Sequence, residues 1–186
     1  MTRAEFLDVL SCDPVIAAVR DDKWQAAIRS PARIIFYLKA SLLTAEEHIR
    51  EATDRGKLVF VHLDLAEGVA KDRAGVEFFA RCGAAGILTT SRQTVGYAKE
   101  KGLLAVQRVF ALDSQGLSSI REMCAQSGAD VFEIMPGVIG KVIERFSADR
   151  LPVIAGGLIE TKAEVTAALQ SGALAVSTGR EELWYL

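Results

Sequence analysis

Histidine is scarce in this sequence: there are two, His48 and His62, beside three cysteines, Cys12, Cys82 and Cys124. The cysteines are odd in number and none stands at metal-ligand spacing from another, so neither a disulfide framework nor a zinc site is expected. Reduced, buried thiols fit best, and with them a cytoplasmic location. Long apolar runs are missing too. None reaches the length that crosses a bilayer, so no membrane partner is expected. The opening "MTRAEFLDVLSCDP" carries Glu5 and Asp8 where a signal peptide would be continuously apolar. Neither sign of charge dominates, with 22 Lys and Arg against 24 Asp and Glu, a net charge of −2. No global field would draw the chain onto nucleic acid, so any anion site must be a local cluster.

What is present is an alternation. The 186 residues, half of them hydrophobic, suffice for one well-buried domain spanning 1–186. Residues 1–13 read as an amphipathic helix with Phe6, Leu7 and Leu10 on one side. From Pro14 onward eight short apolar runs follow, at 15–19, 33–38, 57–64, 85–90, 104–110, 130–135, 152–157 and 173–178. Their near-continuous apolar character is that of strands buried on both faces, the habit of parallel sheets. Between them lie helix-forming stretches. "TAEE" at 44–47 and "TKAE" at 161–164 match the capping box, and Gly56, Gly102, Gly128 and Gly172 stand where a left-handed helix stop favours glycine. The series predicts a compact (β/α)8 TIM-type barrel, a doubly wound sheet being the other arrangement it allows. The closing "EELWYL" reads as a final helix whose Leu183 and Trp184 close the barrel bottom.

Two strands end in small residues, "VIAGG" and "AVSTG". In such barrels the loops after strands 7 and 8 frequently form a phosphate site at the C-terminal face. Gly156, Gly157 and Gly179 would let the backbone approach phosphate oxygens, Ser177 and Thr178 would donate hydroxyl bonds, and Arg180 would open a helix adding charge and dipole. A tight turn also asks for two glycines, but the recurrence at consecutive strand ends favours the phosphate site. Other strand ends bring Arg20, Lys39, Arg92 and Arg108, so cations outnumber the acids Asp64, Glu67 and Glu133 on that face. Glu133, flanked by Phe132 and Ile134, should point into the barrel and needs a partner such as Arg108 or Lys39. His62 reads as a hydrogen-bonded core histidine. Asp64 or Glu133 could act as a base, yet no nucleophile, base and orienting group come together, and no catalytic residue is assigned.

The blocks "HLDLAEGVAKDRAGVEFF", "GILTTSRQTVGYAKEKGLLAVQRVFALDS", "DVFEIMPGVIGKVI" and "PVIAGGLIETKAEVTAALQSGALAVSTGREELW" resemble the glycerol 3-phosphate-responsive antiterminator family, from about Pro14 to Trp184. The resemblance implies a non-enzymatic barrel of a glycerol-uptake operon regulator, without cofactor or metal. Its effector ligand would be glycerol 3-phosphate and its partner a leader mRNA whose binding prevents termination; a homo-oligomer is left open. It puts the phosphate on Gly156, Gly157, Ser177, Thr178, Gly179 and Arg180. The ligand hydroxyls would fall to Arg20, Asp64, Glu133 and Arg108. Much of the family has a second serine after "AVST" where this chain has Gly179, whose backbone N–H can stand in. No RNA-recognition motif or Arg-rich tail is visible; Lys39, Arg92, Tyr97 and Phe110 are the candidate RNA contacts. A phosphosugar isomerase or lyase on the same barrel is the alternative, and a sensor acting through a protein partner a third reading.

Overall fold

The computed structural model describes residues 1–111 and 114–186, with only the backbone given for 114–119 and 121. Eight parallel strands close into a ring in chain order, β1 Val15–Val19, β2 Ile34–Tyr37, β3 Leu58–His62, β4 Gly86–Thr89, β5 Leu104–Phe110, β6 Val131–Met135, β7 Val153–Gly156 and β8 Ala175–Thr178. β8 pairs with β1 through Ile16↔Ser177 and Ala17↔Thr178, completing the ring. The sheet is therefore a barrel and not a doubly wound array. All eight expected runs hold strands.

Strand alternation divides the apolar residues into two cores. Ile16, Ile34, Phe36, Phe60, Leu88, Leu104, Val106, Val131, Ile154 and Ala175 face inward and pack together. The intervening residues, Ala17, Ile35, Val59, Ile87, Ala105, Phe132, Ala155 and Val176 among them, pack outward against the helices. That is why the runs carry no polar face. The helices are α1 Arg3–Cys12, α2 Trp24–Arg29, α3 Ala45–Asp54, α4 Arg73–Arg81, α5 Arg92–Glu100, α6 Ser114–Ser127, α7 Gly140–Ala148 and α8 Lys162–Gln170. None of the described helices is long and apolar enough to cross a membrane.

Thr161 caps α8 with a full capping box to Glu164, as its motif predicts. Thr44 does not cap α3: its backbone sits at φ −120, ψ −13, away from the extended conformation that aims a capping hydroxyl, and its side chain accepts no capping bond. Gly56, Gly102, Gly128 and Gly172 all take positive φ before a strand.

The barrel bottom is closed by α1, not by the C-terminus. Phe6 and Leu10 are fully buried in the inner core, with Phe6 stacked on Phe60 at 4.8 Å. Leu183 and Trp184 instead join the outer core, from a 3-10 turn at Glu181–Tyr185. The apolar stripe of "EELWYL" required burial but did not say on which side of the sheet. The cysteines are unpaired and differ in setting: burial pushes the Cys124 thiol up to about 12, Cys82 is half-buried, and Cys12, against expectation, is exposed.

Candidate functional site

At the C-terminal mouth of the barrel lies a cavity of about 170 Å³, lined from β1, β5, β6, β8 and the loops after β2, β7 and β8. Its polar floor is built from three strands. Arg108 on β5 and Glu133 on β6 are register partners, and Arg108 Nε donates to Glu133 Oε2 at 2.5 Å. Ser177 on β8 reaches across β7 and donates Oγ–H to Glu133 Oε1, also at 2.5 Å. The strand in between must be bare for this to happen. A Cβ built on Gly156 would overlap the Glu133 carboxylate and lie 2.8 Å from Ser177 Oγ. Glu133 is fully buried and Arg108 is 9 % exposed, so the pair is tolerable only because charge meets charge and each carboxylate oxygen has a donor. Arg108 is the partner Glu133 required. Lys39 is elsewhere, 2.7 Å from Glu67 on the rim.

The walls are apolar, from Ala18, Leu38, Met135, Leu158 and Ile159, and the rim is backbone at Gly157, Thr178 and Gly179. Gly157 and Leu158 both hold left-handed conformations, φ 74 and φ 61. Leucine rarely does so, and such strain gathers at ligand loops. Gly157 also lies against Met135, whose Cε would be 2.5 Å from any Cβ there.

Two hydroxyl roles differ from expectation. Ser177 faces the cavity but donates to Glu133, and Thr178 faces outward, donating to the Ile159 carbonyl at 2.7 Å and accepting from Arg180 N–H. Those bonds shape the two loops. Arg180 precedes a 3-10 turn of only five residues with Glu181 and Glu182 in its first turn, in place of the helix expected there to add its dipole. Its guanidinium pairs with Glu160 at 2.8 Å, beside the cavity. One cation escaped the sequence reading. Lys23 Nζ donates to the Gly179 carbonyl at 2.8 Å, tying the turn after β1 to the loop after β8, and makes no ion pair among the described residues. Its signal was "RDDK" directly after the first strand.

The remaining candidates lie away from this pocket. Arg20 is exposed at the start of the turn Asp21–Lys23 and is not in the lining. Asp64 is consumed by the next strand's loop: Thr89 Oγ1 donates to it at 2.6 Å, Thr90 N at 2.7 Å and Thr90 Oγ1 at 2.8 Å. Burial raises its carboxyl, but these donors outweigh burial and hold it well below the usual range. His62 Nε2 stands 3.6 Å from Asp64, beyond a proper hydrogen bond, so the threonines carry the effect. Both His62 ring nitrogens are buried without a hydrogen-bond partner among the described residues, unlike the satisfied core histidine expected. Phe110 is half-exposed at the end of β5, Arg92 bonds Gln126, and Tyr97 lies on α5 beneath Arg73. No described contact joins Lys39, Arg92, Tyr97 and Phe110 into one patch. Among the described residues no cluster of His, Cys, Asp and Glu could hold a metal.

The geometry can be set beside known proteins. The model of the glycerol-3-phosphate responsive antiterminator family matches residues 15–184. The uncharacterized protein YgcP of Escherichia coli strain K12 is 33 % identical over 186 residues, covering 97 % of this chain and 96 % of that one. A glycerol uptake operon antiterminator-related protein from Thermotoga maritima MSB8 superposes with a TM-score of 0.82 at 34 % identity, over 92 % of this chain and 98 % of its own. The glycerol uptake operon antiterminator regulatory protein from Listeria monocytogenes gives a TM-score of 0.85 at 29 % identity, over 91 % and 94 %. On a match that runs from the first strand to the closing turn, in sequence and in fold, this chain belongs to the glycerol-3-phosphate responsive antiterminator family.

Proposed function

We propose that this chain is a regulator of glycerol-uptake genes that binds glycerol 3-phosphate at the barrel mouth and a leader mRNA elsewhere on its surface, in the cytoplasm. The observation that carries the ligand reading is the mouth cavity, whose charged floor and bare rim suit the two ends of a polyol phosphate. The phosphate would lie against the loops at Gly157 and Gly179, with Lys23 and Arg180 supplying positive charge nearby. The glycerol end would reach Arg108 and Glu133 on the floor. Gly156 and Ser177 support that floor, and Thr178 shapes the rim.

RNA binding is supported by family membership and not by any charged patch. If ligand and RNA are coupled, each raises the other's affinity by the same factor. Titrating a cognate leader transcript with and without glycerol 3-phosphate tests this, and an unchanged affinity for RNA would sink it. The presence of a carboxylate inside the cavity favours a second reading, a phosphosugar isomerase or lyase with Glu133 as base. Turnover of triose or pentose phosphates, abolished in Glu133→Gln, would establish that reading instead.

A further inference from the structure

Resting on the glycerol 3-phosphate reading, we infer that the cavity floor reads the oxidation level of the ligand's middle carbon, accepting a secondary alcohol and rejecting the corresponding ketone. Glu133 is the determinant. It is fully buried, and as a carboxylate it can only accept hydrogen bonds. Each of its oxygens already accepts one bond, from Ser177 at Oε1 and from Arg108 at Oε2, which leaves lone pairs and no proton for a ligand. Arg108 beside it is the opposite, a donor-only guanidinium. A ligand group that touches both must therefore accept from Arg108 and donate to Glu133. A hydroxyl does both. A carbonyl oxygen can take a bond from Arg108, but it meets Glu133 lone pair to lone pair.

Nothing else in the lining can turn to relieve that clash. The Ser177 hydroxyl proton is held on Glu133 at 2.5 Å and the Thr178 hydroxyl is committed to a carbonyl; the other side chains are Ala18, Leu38, Met135, Leu158 and Ile159, none of which bears a donor. An apolar wall also leaves no room for screening, so an unmade bond at Glu133 is felt in full. Glycerol 3-phosphate and dihydroxyacetone phosphate differ by one hydride and one proton at this carbon. A floor of this kind reports the alcohol alone and not the summed pool.

The test is calorimetric titration of the full chain with glycerol 3-phosphate, dihydroxyacetone phosphate, 3-hydroxypropyl phosphate (which has no oxygen at the middle carbon) and inorganic phosphate. The expected order is glycerol 3-phosphate tightest, on the order of tenfold or more over the ketone, with the ketone no better than the compound lacking the oxygen. In Glu133→Gln, whose amide can donate, the gap between alcohol and ketone should close. Equal affinity for alcohol and ketone in the unaltered chain overturns the inference while leaving the proposed ligand standing. So does a ketone that binds better than the deoxy compound, since the bond from Arg108 would then outweigh the clash with Glu133. Failure of all the triose compounds to bind overturns the proposed function itself. A Glu133→Gln chain that keeps its fold by circular dichroism and keeps the gap removes Glu133 from the role.

Discussion

Gly156 and Gly157 are neighbours, and each is bare for its own reason. Gly156 leaves room for the bond that Ser177 makes to Glu133 across β7, whereas Gly157 bends left-handed against Met135. Gly179 has neither constraint: its φ is ordinary, and a Cβ there would meet only the Ala18 carbonyl at 3.5 Å. The three glycines looked alike in sequence because the atoms that distinguish them come from β6, β8 and β1, which only the strand register brings near. Gly179→Ala should therefore leave stability within about 0.5 kcal/mol and weaken glycerol 3-phosphate binding about tenfold. Gly157→Val should cost on the order of 1–3 kcal/mol of stability before any ligand is added. Urea denaturation and calorimetric titration of both variants separate the two effects. Asp64 permits a prediction in pH. Its folded carboxyl is held below the unfolded value, so its stabilisation is present above about pH 4 and fades as pH falls towards the folded value. Asp64→Asn should cost about 1–2 kcal/mol at pH 7, with a clearly smaller difference at pH 3, read from denaturation curves at both.

At the scale of the element, the two Thr-x-x-Glu motifs share a spelling and not a geometry. Thr161 is extended at φ −131, ψ 156 and its hydroxyl accepts from Glu164 N–H, while Glu164 returns bonds to the backbone of Glu160 and Thr161. Thr44 is turned away, its hydroxyl 3.5 Å from the buried Tyr37 hydroxyl. Thr161→Ala should destabilise by about 1 kcal/mol and Thr44→Ala by less than half of that; thermal melts of the pair decide it. The same box at Thr2 and Glu5 caps α1, and "TRAE" carried that signal. Strand existence was legible because a strand covered on both faces leaves a continuous apolar run. A cap depends on the dihedrals of one residue, which a loop sets from outside the motif.

At the scale of the molecule, the ring of eight strands could be read from spacing, and so could the strand ends around which the mouth cavity opens. The floor's inward-pointing carboxylate was also legible, from the alternation around Glu133. Lys23 and the closure of the bottom by α1 were not, since an apolar stripe or a lone lysine names no partner. On the proposed function, ligand and fold are linked through this cavity. Glycerol 3-phosphate at a hundredfold excess over its Kd should raise the unfolding free energy by about 2.7 kcal/mol, whereas glycerol alone should do little. A thermal-shift titration gives the answer, and a matching rise with glycerol would contradict a site that needs the phosphate.

The seat of α1 has a bearing on how the chain comes into being. Phe6 and Leu10 pack into a cluster to which every one of the eight strands contributes, Ala175 of β8 included. The full seat of α1 therefore exists only once β8 has closed the ring, while Arg3, Glu5 and Asp8 lie on the helix's exposed face. Its amides should be the last to gain protection in pulse-labelled refolding, and a chain ending before β8 should leave them open. The helix ahead of β1 thus serves as the seal on a vessel whose closing stave is β8.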